Sequence, residues 1–245
     1  MKNIKLVIEY IGANYCGYQK QPKDKTVQGT LEQALQLALG EKVETVASGR
    51  TDAGVNALGQ VVNFLTNTTI PSTKIAAAVN HYLPGDIRVI SSTQVYRNFN
   101  SRFSAKCKTY IYKICTSEHL SVFDNNRCLH YPYKLDIDLM QQACKKVIGK
   151  HDFSSFMSKG GTGQNGTVRI ISDAHFDING DYLTFEITGN GFLYNMVRII
   201  VGTLLEIGCG KKSIDIFDEL YKGDNRPLAG KTVEPYALYL KKVEY

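Results

Sequence analysis

Arg50 and Asp52 lie two residues apart in a glycine-rich stretch, residues 47–60, which reads ASGRTDAGVNALGQ. Glycine allows backbone turns that other residues resist, so this stretch is predicted to form a tight loop that presents polar side chains. An aspartate in such a loop can act as a nucleophile or a general base. The alternative is an aspartate that caps or turns the local backbone, and the loop alone does not decide between them.

Arg198 interrupts an otherwise apolar helix that is predicted over residues 192–208, FLYNMVRIIVGTLLEIG. Burying an unpaired guanidinium is costly, because the charge loses its hydration without a compensating partner. We therefore expect a carboxylate from elsewhere in the fold to pair with Arg198, and Asp52 is the candidate.

Tyr110 and Tyr112 are separated by one residue in a predicted strand, TYIYKICTS. Alternate residues of a strand face the same way, so the two rings are expected on one side of a sheet. Three basic residues precede them: Arg102, Lys106 and Lys108. Basic residues interleaved with aromatic ones favour unstacked RNA bases, and half-buried sheet tyrosines are the alternative interpretation.

Charge and composition limit the classes of function. The chain has 245 residues, and Lys+Arg 29 against Asp+Glu 23 give a formal net charge of +6. This modest excess suits an anionic partner such as nucleic acid without being diagnostic. The six cysteines form no CxxC pair and the five histidines form no HExxH spacing, which indicates reduced thiols and no designed metal site.

The apolar segments predict no membrane span and no signal peptide. No apolar run approaches the ~18 residues that a spanning helix requires. The first residues, MKNIKLVIEYIG, alternate apolar and polar side chains as a strand does. A cytoplasmic protein is predicted.

Two glycine-rich segments match nucleotide-binding motifs only in part. GGTGQNGTV places Gly161 and Gly166 as in a P-loop, but Thr167 and Val168 follow where the motif requires a lysine and then Ser or Thr. This segment is therefore predicted to be a surface loop that RNA could contact. GNG at residues 189–191 lacks the third glycine of a dinucleotide fingerprint, so we interpret it as a strand-to-helix turn.

Hydrophobic periodicity predicts strands and helices in alternation along the chain. The turn at Asn179 and Gly180 favours a tight hairpin, which argues against a doubly wound parallel sheet. The predicted architecture is α+β, with two α/β halves, mainly antiparallel sheets and domains at residues 1–102 and 103–245. Strands are predicted at residues 4–12, 59–66, 86–96, 109–117, 168–178, 181–189 and 236–245, and helices at 26–40, 73–83, 136–149, 192–208 and 213–222.

Four sequence blocks resemble, in order and spacing, the motifs of the tRNA pseudouridine synthase A (TruA) family. They are GRTDAGVNALGQV, SRFSAKCKTYIYKI, HDFSSF and GNGFLYNMVRIIVGTLLEIG. The resemblance covers nearly the whole chain. It implies a pseudouridine synthase fold with a central RNA-binding cleft, isomerisation of uridine at positions 38 to 40 of the tRNA anticodon stem-loop, no cofactor and no metal, and a homodimer.

The resemblance also implies roles for individual residues. Asp52 matches the catalytic aspartate, and Tyr110 matches the tyrosine that packs on the target base. Arg50 matches the arginine proposed to help extrude that base, and Arg198 matches the basic residue that pairs with the aspartate. Leu238 matches an apolar position beneath the base.

The chain departs from the family pattern at three places. Asn56 and Asn100 stand where the family commonly has histidine, and the ending TVEPYALYL places Glu234 and Tyr236 near the expected site. Two alternatives stay open at this stage. One is a pseudouridine synthase with a different or broader RNA target, and the other is a non-catalytic tRNA-binding or chaperone protein.

Overall fold

The computed structural model describes residues 1–160 and 166–245, so most of the predicted surface loop GGTGQNGTV lies outside the described residues. Backbone contacts divide the chain into unit 1, residues 1–106 and 239–245, and unit 2, residues 107–238. The sequence prediction instead divides the chain after residue 102 and keeps the C-terminus with the second half. The last residues lie in unit 1 because the final strand pairs with a strand of that unit.

Unit 1 contains an antiparallel sheet to which the final strand adds in parallel. The strand order is β4-β1-β3-β10, and β2 pairs with β3. Ile4, Leu6 and Ile8 alternate along β1 and are fully buried, which is the pattern that the sequence predicts for this strand. The strands are β1 (Lys2–Tyr10), β2 (Val46–Ala47), β3 (Asn56–Thr66), β4 (Ile87–Val95) and β10 (Leu238–Glu244).

Helix α1 (Val27–Leu39) confirms its sequence signals at both ends. The Thr26 side chain accepts a hydrogen bond from the Gly29 amide, and Gly40 adopts a left-handed φ of 72° immediately after the last turn. Helix α2 (Ile75–Asn80) is shorter than predicted. After Asn80 the chain continues in a tighter turn, in which the Tyr82 amide donates to the Val79 carbonyl at 3.0 Å. The Asn80 side chain bonds both backbone groups of Val89 in β4, at 2.9 and 2.8 Å.

In unit 2 the strands β5-β9-β8-β7 pair antiparallel in that order, and β6 pairs in parallel with β5. Asn179 pairs with Tyr182, and Gly180 has a φ of 58°, which confirms the predicted hairpin. The strands are β5 (Cys107–Cys115), β6 (Leu129–His130), β7 (Gly149–Asp152), β8 (Val168–Asn179) and β9 (Tyr182–Gly189). Both units are therefore α+β with mainly antiparallel strands, as predicted.

Among the described residues, unit 2 has three α-helices: α3 (Ile137–Val147), α4 (Met196–Gly208) and α5 (Ile216–Leu220). Helix α4 begins four residues later than predicted. Asn195 has a φ of 62°, a left-handed conformation that cannot be part of a right-handed helix. In the part of the chain that the structure describes, no helix is both long and apolar enough to cross a membrane.

Candidate active site

Buried polar side chains of unit 1 hold the loop that carries Asp52. The Tyr10 hydroxyl lies 2.7 Å from Thr51 Oγ1, and burial raises the Tyr10 pKa to about 12, so the phenol stays protonated at neutral pH. Gln60 accepts a hydrogen bond from Ser48 Oγ at 2.6 Å and donates one to the Gly49 carbonyl at 2.9 Å. Because Gln60 is fully buried, these bonds are shielded from water and hold the start of the loop.

Another segment of unit 1 packs closely against the same loop, because its glycines carry no side chain. A Cβ at Gly12 would lie 2.2 Å from the Val55 carbonyl oxygen, and one at Gly17 would lie 2.9 Å from the Thr51 oxygen. Gly17 and Gly54 also have φ values of 85° and 78°, which side chains rarely tolerate. The glycines therefore fix where the loop backbone lies.

The two predicted site residues of this loop differ in their exposure to solvent. Asp52 is half-buried and Arg50 is exposed. The turn after Asp52 is closed by a main-chain bond, in which the Val55 amide donates to the Asp52 carbonyl at 3.1 Å. The Asp52 carboxylate thus stands on a backbone whose position is set by its neighbours on both sides.

Asn56, where the family commonly has histidine, is part of this support. Its Oδ1 accepts a hydrogen bond from the Gly12 amide at 2.8 Å, and its side chain is buried. Gly12 is also the residue that approaches Val55. The departure from the family pattern therefore places a neutral amide at a structural contact beneath the loop.

Replacing Asn56 with alanine is expected to lower the free energy of unfolding by about 1–3 kcal/mol, because the buried Gly12 amide would lose its acceptor. Urea denaturation of the wild-type and variant proteins measures this loss. Asn98→Ala, at an exposed position of the same unit, is the control and should change stability by less than about 0.5 kcal/mol. Equal stability of the Asn56→Ala and Asn98→Ala proteins would contradict a supporting role for Asn56.

Tyr110 and Tyr112 are alternate residues of β5 in unit 2 and therefore lie on the same face, as predicted. They pair with Ile187 and Phe185 of β9. Tyr112 is a core residue: it is fully buried, and its hydroxyl donates to the Glu234 carbonyl at 2.9 Å. Burial raises the pKa of this hydroxyl.

Tyr110 differs from Tyr112, because its side chain keeps 9% of its surface exposed. Its ring packs edge-on against Phe192, with the centroids 5.0 Å apart and an interplanar angle of 78°. Phe192 thus sets the orientation of the Tyr110 ring within unit 2.

Arg198 is half-buried on the first turn of α4, and its guanidinium contacts neutral acceptors. Nε donates to the Val233 carbonyl at 2.7 Å, and Nη1 donates to Asn195 Oδ1 at 2.7 Å. Asn195 is held in turn by Ser158, whose Oγ accepts from Asn195 Nδ2 at 2.9 Å. Neutral acceptors orient the group without cancelling its charge.

Leu238 begins β10 and is 5% exposed. It follows the short 3-10 turn Pro235–Ala237, which is tied to the sheet of unit 2 through the bond between Tyr112 and Glu234. Asp52 and Arg50 therefore belong to unit 1, whereas Tyr110, Arg198 and Leu238 belong to unit 2. The pairing of Asp52 with Arg198 stays a prediction.

The segment that precedes β5, residues 96–106, is anchored to the unit 1 sheet by buried amides. Asn3 Nδ2 donates to the Phe99 carbonyl at 2.9 Å, and Asn63 Oδ1 accepts from the Ser101 amide at 2.7 Å. The Tyr245 hydroxyl donates to the Ser101 carbonyl at 3.0 Å. These bonds hold an irregular segment in a defined path.

Asn100, the second departure from the family pattern, organises the exposed part of this segment. Its Oδ1 accepts from the amides of Arg102 and Phe103 at 2.9 and 3.1 Å, which is a local side-chain turn. Both of these side chains are exposed, and the Arg102 guanidinium lies 5.6 Å from the Phe103 ring centroid. A basic and an aromatic side chain thus lie side by side at the surface of this segment.

Sequence patterns point less clearly to the residues that support the site. Gln60 carries the readable signal of a polar residue inside an apolar strand, and Phe192 follows the GNG turn. Asn195 and Val233 carry no such signal. Asn195 accepts from Arg198 with its side chain while its backbone is left-handed, and Val233 acts through a main-chain carbonyl that any residue would provide.

One group of side chains in unit 2 is close enough to hold a metal ion. The ligand atoms of His175, Asp177 and Glu186 lie within 4.8 Å of one another. His175 Nδ1 is 2.9 Å from Asp173 Oδ2 and its Nε2 is 3.7 Å from Asp177 Oδ2, so both ring nitrogens already lie close to side-chain carboxylates. The cluster therefore supports no metal assignment.

The chain matches a family model described as tRNA pseudouridine synthase over residues 6–104 and 143–245. It is 45% identical over 245 residues to a tRNA pseudouridine synthase A of Acetivibrio thermocellus, with all of both chains covered. It is 46% identical over 245 residues to the protein of that name in Caldicellulosiruptor saccharolyticus, again over all of both chains. A Geobacillus relative of the same name is 46% identical, over all of this chain and 98% of that one.

Proposed function

This chain belongs to the tRNA pseudouridine synthase family, which makes it an isomerase of uridine in tRNA, and we propose that its targets are the uridines at positions 38 to 40 of the anticodon stem-loop. Family membership confirms the predicted resemblance and the predicted pseudouridine synthase fold. The choice of positions 38 to 40 rests on the motif blocks quoted above.

The reaction is an isomerisation that the side chains of the chain can serve. The N1–C1′ glycosidic bond breaks, the base turns, and C5 forms a bond to C1′ while the C5 proton leaves and N1 takes up a proton. A base inside a stem must first be flipped out, so the site needs a displacing side chain and a surface on which the base packs. A carboxylate then acts at the sugar, either as a nucleophile at C1′ or as a base at C2′.

Each predicted residue has a place in this reaction. Asp52 supplies the carboxylate, and Arg50 fills the gap that the extruded base leaves. Tyr110 and Leu238 contact the base. Arg198 pairs with Asp52 and keeps it ionised, because a nearby cation favours the charged form of a carboxylate.

The observation that carries this proposal is the support of the Asp52 loop. Hydrogen bonds that involve the side chains of Tyr10, Gln60 and Asn56 hold the loop. Gly12 and Gly17 allow another segment of unit 1 to pack against it. A half-buried carboxylate on such a backbone meets the need for a reactive group that is positioned before substrate binds.

We expect the purified protein to form pseudouridine at one or more of positions 38, 39 and 40 in a tRNA transcript, and pseudouridine mapping measures this. The matched control is the same transcript with cytidine at those three positions, which should remain unmodified. Pseudouridine elsewhere in the transcript would instead support the relative with a different target. Binding without any pseudouridine would support the non-catalytic alternative and refute the proposal.

We further propose that the protein is a cytoplasmic homodimer, since the resemblance to the family implies both properties. The exposed Arg102 and Phe103 and the formal charge of +6 support contact with RNA. Sedimentation of the purified protein tests the dimer, and a single species of 27.3 kDa would exclude it.

A further inference from the structure

Unit 2 has an open cavity of about 670 Å³ whose charged lining residues are mostly basic. We call it the basic cleft. Four cationic side chains face two carboxylates, so the lining carries a formal charge of +2. The charged residues are Lys159, Lys212, Arg226, Lys231, Glu206 and Asp224.

The carboxylates compensate only part of this charge. Glu206 is half-buried, and both of its carboxylate oxygens already have partners. Its Oε2 lies 3.4 Å from Lys212 Nζ, and its Oε1 accepts from the Lys231 amide at 3.2 Å. Among the described residues, none places a carboxylate oxygen within 4 Å of the side-chain nitrogens of Lys159, Arg226 or Lys231. Lys159 and Lys231 are exposed, so their charges are presented to solvent.

Arg226 is held in place by neutral groups. Nη1 donates to the Gly230 carbonyl and Nη2 donates to Thr232 Oγ1, both at 3.0 Å. These bonds use two of the five N–H donors of a guanidinium. Burial lowers the Arg226 pKa and Glu206 opposes the change, but an arginine in a protein keeps its charge at neutral pH. An oriented guanidinium with unused donors is well suited to a phosphate.

Two glycines let the segment that carries Lys231 pack directly against α4. A Cβ at Gly202 would lie 1.9 Å from the Lys231 carbonyl oxygen, and one at Gly230 would lie 2.3 Å from the Thr203 amide nitrogen. The Gly230 amide also donates to Thr203 Oγ1 at 2.9 Å. The cationic side chains therefore stand on a segment that packs directly against α4.

The same segment continues to Arg198. The Arg198 Nε bond to the Val233 carbonyl lies two residues beyond Lys231, and Glu206 lies eight residues beyond Arg198 on α4. Eight residues of helix span about 12 Å. Arg198 and Glu206 therefore lie near opposite ends of α4.

We propose that the basic cleft, which lies near the end of α4 opposite to Arg198, binds backbone phosphates of the tRNA substrate. This inference rests on the proposed function. Phosphodiester groups match the oriented guanidinium and the two exposed lysines, and these contacts anchor the RNA without reading its bases. Free phosphate has the same chemistry, and the experiment separates the two sources.

The test compares two double variants that remove the same charge. Lys159→Gln with Lys231→Gln alters the basic cleft, and Lys145→Gln with Lys150→Gln alters exposed lysines elsewhere in unit 2. Equilibrium binding of full-length tRNA is measured at several salt concentrations. The cleft variant should bind about tenfold more weakly near ~0.1 M salt, and its logarithmic salt slope should be smaller by about 1.4–1.8. The control should keep the wild-type affinity and slope within error.

Equal slopes for the two double variants would overturn the cleft proposal. So would binding of inorganic phosphate by the wild type that the cleft substitutions weaken while tRNA binding stays unchanged, because the cleft would then serve free phosphate. Tritium release from C5-labelled tRNA by the wild type is measured in parallel. Normal release with unchanged slopes refutes the cleft alone, whereas absent release refutes the proposed function and the cleft proposal with it.

Discussion

Replacing Asp52 with alanine or asparagine is expected to lower tritium release from C5-labelled tRNA uridine by about 10³-fold or more. Either change removes the carboxylate that acts at the sugar, while the loop backbone keeps its own support from Tyr10, Gln60 and Asn56. Affinity for tRNA should stay within about threefold of the wild type, since one carboxylate adds little to phosphate binding. Single-turnover tritium release and equilibrium binding measure the two quantities.

Asp24→Ala is the matched control, because Asp24 is an exposed aspartate of the same unit. It should retain the wild-type rate. Thermal unfolding of the Asp52→Asn protein shows whether the fold survives, and a midpoint near that of the wild type is expected. Substantial turnover by a folded Asp52→Asn protein would refute the assignment of Asp52 as the catalytic carboxylate.

Replacing Arg198 with alanine is expected to lower the rate by about 10²-fold or more and to move the acid limb of the pH–rate profile to higher pH by about one unit or more. The direction of this pH shift follows from the proposed pairing of Arg198 with Asp52. The guanidinium favours the ionised carboxylate, so its loss makes protonation of Asp52 easier, and activity disappears at a higher pH as the solution is acidified. Single-turnover rates between about pH 5 and 8 measure both effects.

Two further variants separate this charge effect from a loss of structure. Arg198→Lys keeps a cation but loses the planar group that contacts Val233 and Asn195 together, so it should restore most of the pH profile and only part of the rate. Arg88→Ala is the control, because Arg88 is also half-buried and donates to two carbonyls, those of Pro84 and Ile87. A normal rate and an unchanged acid limb in Arg198→Ala would exclude the pairing.

Local signals in the sequence account for the elements that the prediction places correctly. The α1 ends are marked by Thr26 and Gly40, whose effects act within one turn, and the β8–β9 hairpin is marked by Gly180. Such features depend on residues close in the chain, so a single sequence contains the whole cause. The later start of α4 has a different origin, because the conformation of Asn195 is accompanied by a contact with Ser158, which lies 37 residues away.

The candidate site also combines features that the sequence identifies with features that depend on distant partners. Motif spacing identifies Asp52, Tyr110, Arg50, Arg198 and Leu238 as candidates, and their roles stay proposals. The support of the candidates is not local: Tyr10 lies 41 residues from Thr51, and Gly12 lies 44 residues from Asn56. No pattern in either segment indicates which partner it meets.

From residue types and their order alone follow the α+β class, the family and the small set of side chains that can perform chemistry. Tertiary structure alone assigns the last strand to unit 1, a supporting bond to Asn56, and neutral acceptors to Arg198. The physical reason is that periodicity and capping act over a few residues, whereas a buried hydrogen bond or a glycine contact needs a partner that only folding brings near. What folding adds is therefore the position and the environment of groups whose chemical nature is already given.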